Sequence, residues 1–318
     1  MKCIFCLEEK PPSDEHVIPD SIGGKIHINE VCRDCNSNLS RLVDNPFASC
    51  SLIKLARYNH SLGGKRDIVP FPFGGVGTVD TGQKVSLDEN FTPHVKRDFT
   101  ITKLPDGGLQ VHFSADASDK DKLEQMLGEP LRNALAIEFP AWSPEKLDGE
   151  IVKIVAHARA QTPVSEHKPI KKQWSVGLDA LLFEFLKIAY EMWFRRFGYP
   201  WVESSATART LRNAILNRDP NLPIRGQLFC PEIPLPVSDP FKNHLVLQLS
   251  GGCVVRLFNI TCAVECEETE ARFMLSQEES LITIQDFTTG ALTEAKLPSF
   301  LAANLPKAEE HARQPKAQ

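Results

Sequence analysis

Apolar positions recur with helical spacing most strongly in GLDALLFEFLKIAYEMWFRRFGY. There Leu178, Leu181, Leu182, Phe185, Ile188, Ala189 and Met192 share one broad face, and Gly198 follows the end. Asp179, Glu184, Lys187 and Glu191 interrupt the run, which predicts a buried amphipathic helix and not a membrane span. ATARTLRNAIL at 206–216 predicts a second helix, and SDKDKLEQMLGEPLRNAL a capped one interrupted near Gly128 and Pro130. Shorter apolar runs predict strands. RDFTITKL and LQVHFSA form a hairpin across 95–114 with its turn at Pro105–Gly108, and EIVKIVAHA at 150–158 forms another strand. HLVLQLS, GCVVRLFNITCAVE and SLITIQDF read as a late antiparallel sheet.

Near the N-terminus the pattern is finer grained. In SDEHVIPDSIGGKIHINEV, residues 13–31, a short apolar run beside His16 ends at Pro19, as a strand entering a loop does. Gly23 and Gly24 permit a tight reversal, and KIHINEV follows as a second short strand. NSNLSRLVD then places Leu39, Leu42 and Val43 at helical spacing, ended or turned by Asp44, Asn45 and Pro46. The glycine- and proline-rich stretch at 69–82 reads as a connection. The expected organisation is a head over 1–68, a larger mixed α+β domain over 83–303 with a central long helix and late antiparallel strands, and a disordered tail over 304–318. The fold class is α+β, with no internal repeat of useful period.

Charge changes this picture little. The chain has 318 residues, 42% hydrophobic content and a formal charge of -5, which gives no global pull towards nucleic acid or acidic membranes. The start is too short in apolar residues and too polar for a secretory signal, so a cytoplasmic location is expected.

The cysteines change it more. Nine is an odd total, which argues against a disulfide framework in an intracellular chain. Cys3 and Cys6 form one C-x2-C pair, and Cys32 and Cys35 form another; such knuckles aim four thiolates at one structural zinc. A closed four-sulfur site leaves no coordination position for chemistry. Cys230, Cys253, Cys262 and Cys266 are irregularly spaced and read as buried thiols. Taken alone, Asn36 is a good helix N-cap, Glu15-His16 is a charged surface pair, and LGGKRD at 62–67 lacks the spacing of a P-loop.

CIFC, DEHVIPDSIGG and VCRDCN, in that order and spacing over residues 3–36, resemble the zinc-stapled branch of the HNH (ββα-metal) endonucleases. McrA-type restriction enzymes and phage Holliday-junction resolvases carry such heads. The resemblance implies a metal-dependent endonuclease hydrolysing phosphodiester bonds in DNA, with restriction or phage defence as its setting. It implies Glu15 and Asn36 as ligands of Mg2+ or Mn2+ and His16 as general base. Both His27 and Asn29 are candidates for the middle residue that orients the base. Within the first fifty residues Lys2, Lys10, Lys25, Arg33 and Arg41 are outnumbered by acidic side chains. Phosphate contacts are therefore expected from Lys25, Arg33 and Arg41 together with Lys54 and Arg57 beyond. The large second region is expected to grip nucleic acid, sense a signal, dock a protein partner or form a homodimer. RNA stays open as a substrate. The alternative is a non-catalytic zinc module of an adaptor or nucleic-acid-binding protein, in which His16 would be dispensable.

Overall fold

A short antiparallel ladder starts the chain. The structure is a computed structural model, and it describes all residues except 106–108, 162–168, 175, 220–225, 229–241, 266–267, 269 and 313–318. Strand β1 (Pro12–His16) pairs with β2 (His27–Cys32), and helix α1 (Arg33–Leu39) follows directly. Burial alternates along both strands: Glu15 and Ile28 face inward, while Asp14, His27 and Asn29 face solvent. Beyond a wide helical turn come α2 (Asn45–Ser49) and α3 (Ser51–Asn59). The N-cap of α1 is Cys32, and Asn36 lies within the helix, so the capping role that its residue type suggests is not the one it plays.

Residues Phe73–Trp174 form a separate compact unit. It contains a small sheet of β3 (Val76–Thr78), β4 (Lys84–Leu87) and β5 (Pro93–Val95), and a hairpin of β6 (Asp98–Lys103) and β7 (Leu109–Ser114). Part of the expected turn of that hairpin, 106–108, lies outside the described residues. Helices α4 (Leu123–Glu138) and α5 (Pro144–Ala160) pack through Leu127, Leu131 and Leu135 against Leu147, Ile151 and Val155. Two expectations fail here. Helix α4 runs through Gly128 and Pro130 without a break. The stretch 150–158 is helical, not a strand: its β-branched residues suggested a strand, but Leu147, Ile151 and Val155 recur every fourth residue and Ser143 caps the start. The unit closes on itself where Thr78 and Lys171 exchange two backbone hydrogen bonds, of 2.9 and 2.7 Å.

The remaining elements are α6 (Leu178–Phe197), α7 (Tyr199–Ser204), α8 (Ala206–Asn217), β8 (Gly226–Leu228), β9 (Asn243–Leu249), β10 (Gly252–Leu257), β11 (Ile260–Glu265), β12 (Leu281–Asp286), β13 (Leu292–Lys296) and α9 (Leu297–Ala312). Six of them make an antiparallel sheet in the order β13-β12-β9-β10-β11-β8. Both faces of its central strands are covered. Val246, Val255 and Leu257 join the core that holds α6, while Leu245, Leu247 and Ile284 pack with Leu297 and Phe300 of α9. Helix α9 extends to Ala312, over part of the tail expected to be disordered from residue 304. No described helix is long and apolar enough to cross a membrane.

These elements do not form one domain with 73–174, as a boundary after the head would require. Residues Met1–Pro72 and Ser175–Gln318 together make a single unit. Ile4, Phe5, Val17, Ile18 and Ile22 of the head share one core with α6, α8 and the sheet. Residues that pair hydrophobic faces across such a separation carry no local sign of it, so a linear reading of linkers splits the wrong pieces.

The turn between β1 and β2 is built into this packing. Gly23 has φ +86°, and a Cβ there would come within 2.8 Å of the Phe287 Cβ; a Cβ on Gly24 would collide with the Ile18 carbonyl. Gln285 donates to the Gly23 carbonyl at 2.6 Å and accepts from the Lys25 N–H at 3.0 Å. The Nε2–H of His244 meets the Ile22 carbonyl at 2.8 Å, and its Nδ1 accepts from the Phe258 N–H at 3.4 Å. The glycine pair serves this close approach.

Candidate active site

Four cysteines open the site. The Sγ atoms of Cys3, Cys6, Cys32 and Cys35 all lie within 4.8 Å of one another, with Cys6 and Cys32 at 3.8 Å. A regular tetrahedron of sulfurs about a zinc at ~2.3 Å has edges of about 3.8 Å, so the cluster fits that ion. Burial, then the neighbouring Cys3 and Cys32 sulfurs, pushes the Cys35 thiol far above its ordinary range. Thiolates packed this closely require a cation among them, and four of them leave it no open position. The arrangement ties the segment before β1 to the start of α1.

Above this staple, strand alternation sorts the next three residues. Asp14 and His16 point to one face of β1 and Glu15 to the other. A register irregularity between Ser13 and Glu15 bends the strand at Asp14. His16 pairs across the ladder with His27, and their rings lie 4.1 Å apart at 50°. His27 Nδ1 is 2.7 Å from Asp14 Oδ1. The ligand atoms of Asp14, His16 and His27 all fall within 4.8 Å of one another. The His27 hydrogen bond holds the Asp14 carboxyl below its usual range, so the carboxylate accepts from the Nδ1–H and the His27 Nε2 keeps a lone pair for a ligand.

His16 is half-buried, and burial, followed by the charges of His27 and Lys65, lowers its pKa. It is therefore neutral at neutral pH. The acids that flank it in sequence do not hold it protonated, because Glu15 faces away and burial outweighs Asp14.

Glu15 departs from its expected role as metal ligand. It is 2% exposed, and its Oε1 accepts from the Lys187 ammonium at 2.9 Å, on the opposite face of the strand from His16. Burial pushes the Glu15 carboxyl up, against the opposing pull of Lys187. The carboxylate beside His16 is that of Asp14. Asn36 does reach β1: its Nδ2 donates to the Asp14 carbonyl at 2.8 Å and to Ser13 Oγ at 3.2 Å. The carbonyl fixes which end of the amide is nitrogen, and Oδ1 accepts no hydrogen bond among the described residues. Of the two candidates for the middle residue, His27 touches His16. Asn29, on the same face, donates its backbone N–H to the neighbouring Glu30 carboxylate at 3.0 Å.

The expected phosphate contacts divide. Lys25, Arg33 and Arg41 are exposed, Lys25 lying 3.5 Å from Asp20. Lys54 is half-buried on α3. Arg57 is occupied by its own chain, donating to the Leu62 and Gly63 carbonyls at 3.3 Å each, so it is not an exposed phosphate contact. Lys65 belongs to the same basic stretch, LIKLARYNHSLGGKRD, as Lys54 and Arg57. It is exposed on the turn after Gly64, which packs against Ser21, and its charge acts on both Asp14 and His16. The basic doublet Lys65-Arg66 was the available signal.

No curated protein and no solved structure matches the chain. The strand–strand–helix order, the four-sulfur staple and the histidine on the first strand nevertheless occupy the stretch that matches one family model, described as HNH endonuclease, over residues 3–50. The N-terminal head of this chain is a domain of the HNH endonuclease family.

Proposed function

We propose that the chain is a metal-dependent endonuclease that hydrolyses phosphodiester bonds in DNA, with His16 as the general base. The observation that carries this reading is the convergence of a neutral, half-buried His16 with Asp14 and His27 on the solvent face of the β1–β2 ladder.

A neutral imidazole can take the proton from an attacking water at the phosphorus. The contact between the His27 and His16 rings, with His27 fixed by Asp14, restricts how the base can turn. Asp14, the Nε2 of His27 and the Oδ1 of Asn36 are the groups that would hold a divalent ion. Two hard oxygens and one imidazole suit Mn2+ at least as well as Mg2+. Such an ion, when bound, stabilises negative charge on the phosphate and on the leaving 3′ oxygen. Lys65, together with Lys25, supplies positive charge for the phosphate backbone. The four cysteines would hold a structural zinc that fixes α1, and with it Asn36, against β1.

The test is nicking of supercoiled plasmid by wild type and His16→Ala with Mg2+ or Mn2+ at low salt, because phosphate binding weakens steeply with salt. Wild type should nick, and His16→Ala should be slower by about 100-fold or more, the span of a lost general base. Equal cutting by the two proteins would return the head to a non-catalytic zinc module.

A further inference from the structure

Lys187 lies in the middle of α6, far outside the stretch that matches the family, and is 0% exposed. Its ammonium donates to Glu15 Oε1 at 2.9 Å, to Asp44 Oδ1 at 2.7 Å and to the His16 backbone carbonyl at 3.2 Å. Glu184 Oε1 is 3.6 Å away, one turn before it on the same helix. Glu191, one turn after it, is also fully buried, and the carboxylate oxygens of Glu184 and Glu191 accept no hydrogen bond among the described residues. One buried cation is thus shared among several acids, and its two strongest attachments outside its own helix run to the catalytic strand and to the turn after α1.

Burying such a group is costly. An apolar side chain at 187 would fill the same space without desolvating an ammonium, so packing alone does not call for lysine. What the ammonium does is make the inward position of residue 15 tolerable for a carboxylate. Side chains on a strand alternate, and a slip of one residue would send Asp14 and His16 inward and Glu15 out to water. The irregularity between Ser13 and Glu15 makes such a one-residue adjustment locally available.

We infer that Lys187 is a positioning residue for the reaction: acting through Glu15, it fixes the register in which Asp14 and His16 face solvent. The inference rests on the nuclease reading above for its kinetic consequence, but not for its structural one. Without Lys187 the Glu15 carboxylate has no partner in the core and leaves it, carrying the strand with it. If residue 15 is instead made apolar, it stays inward unaided and Lys187 is no longer required to hold that register.

The experiment compares wild type, Lys187→Met and Glu15→Leu/Lys187→Met by zinc content, Mn2+ affinity, and kcat and KM for plasmid nicking. Lys187→Met should keep its zinc, bind Mn2+ about tenfold more weakly and lose about tenfold in kcat with KM little changed, as expected when reacting groups are misplaced while substrate binding survives. The double variant should return both values to within roughly threefold of wild type. Wild-type Mn2+ affinity and kcat in Lys187→Met would overturn the inference, as would a zinc-loaded double variant that recovers neither. If Lys187→Met does not fold, the double variant alone carries the decision. If wild type does not cut, the nuclease reading fails, and the Mn2+ series still judges Lys187.

Discussion

Acid should destabilise this protein through a single buried imidazole, His244. The side chain is completely buried between Phe258 and Phe287, with its Nε2–H on the Ile22 carbonyl and its Nδ1 accepting from the Phe258 N–H. Nε2 already carries its proton, and protonating Nδ1 would cost the bond that it accepts from the Phe258 N–H. Burial, helped by the charges of His60 and Arg256 and opposed by the Ile22 carbonyl, lowers the pKa from the ordinary 6.5 to about 4. Each pH unit is worth ~1.4 kcal/mol, so the difference amounts to about 3 kcal/mol. Because the folded value lies below the unfolded one, the unfolded chain binds more protons between them. The stability is fully present above pH 6.5 and is lost as pH falls through about 4. The assay is urea unfolding of wild type and His244→Gln at several values between pH 7 and 4. Glutamine retains a donor for Ile22 and an acceptor for Phe258 but does not titrate. Acid also strips zinc from thiolates, but both proteins share that loss, so the difference between their slopes isolates His244. Wild type should lose about 3 kcal/mol more than the variant across this range, and parallel slopes would refute the reasoning.

Other outcomes follow from the same geometry. Asn36→Ala should retain zinc, because no sulfur changes, yet lose most of its nicking, because β1 loses its tether to α1; metal analysis beside the plasmid assay checks both halves. Cys6→Ser should release zinc and lower the melting temperature, read by metal analysis and thermal unfolding, since a structural zinc contributes folding free energy directly. Gly23→Ala, which forces a Cβ into Phe287 at positive φ, should cost on the order of 2 kcal/mol in denaturant unfolding. The rate of nicking should fall towards acid with a midpoint below the ordinary imidazole value of 6.5, since burial lowers the His16 pKa; a midpoint at or above 6.5 would contradict that environment.

Much of the site was legible in the sequence because its signals are local. The two cysteine pairs, the short strand beside His16 and a helix at the second pair are all set by neighbours a few residues apart and are in place, although the helix starts at Arg33 and not at the expected Asn36. The late sheet was legible because its long strands are rich in apolar and β-branched residues. The facing of Glu15 was readable too: strand alternation puts residues 14 and 16 together and 15 apart, whereas the family likeness favoured the residue next to the histidine. Lys187, Glu184 and Glu191 misled for the opposite reason. Charged residues in an apolar helix ordinarily mark its wet side, but α6 has no wet side along its middle, and the charge of Lys187 is met by residues 15 and 44, which no helical period reveals. The joining of the head with residues 175–318 is a matter of long-range packing, and nothing at the connection near residue 70 announces it.

The double hydrogen bond between Thr78 and Lys171 has a consequence for how this chain can change over time. Because the two ends of the 73–174 unit are clasped together, the rest of the protein experiences that whole excursion as a short bridge. The entropic cost of closing a loop grows only logarithmically with its length. Lengthening or trimming what lies between Thr78 and Lys171 should therefore change the closure entropy of the bridge only slightly.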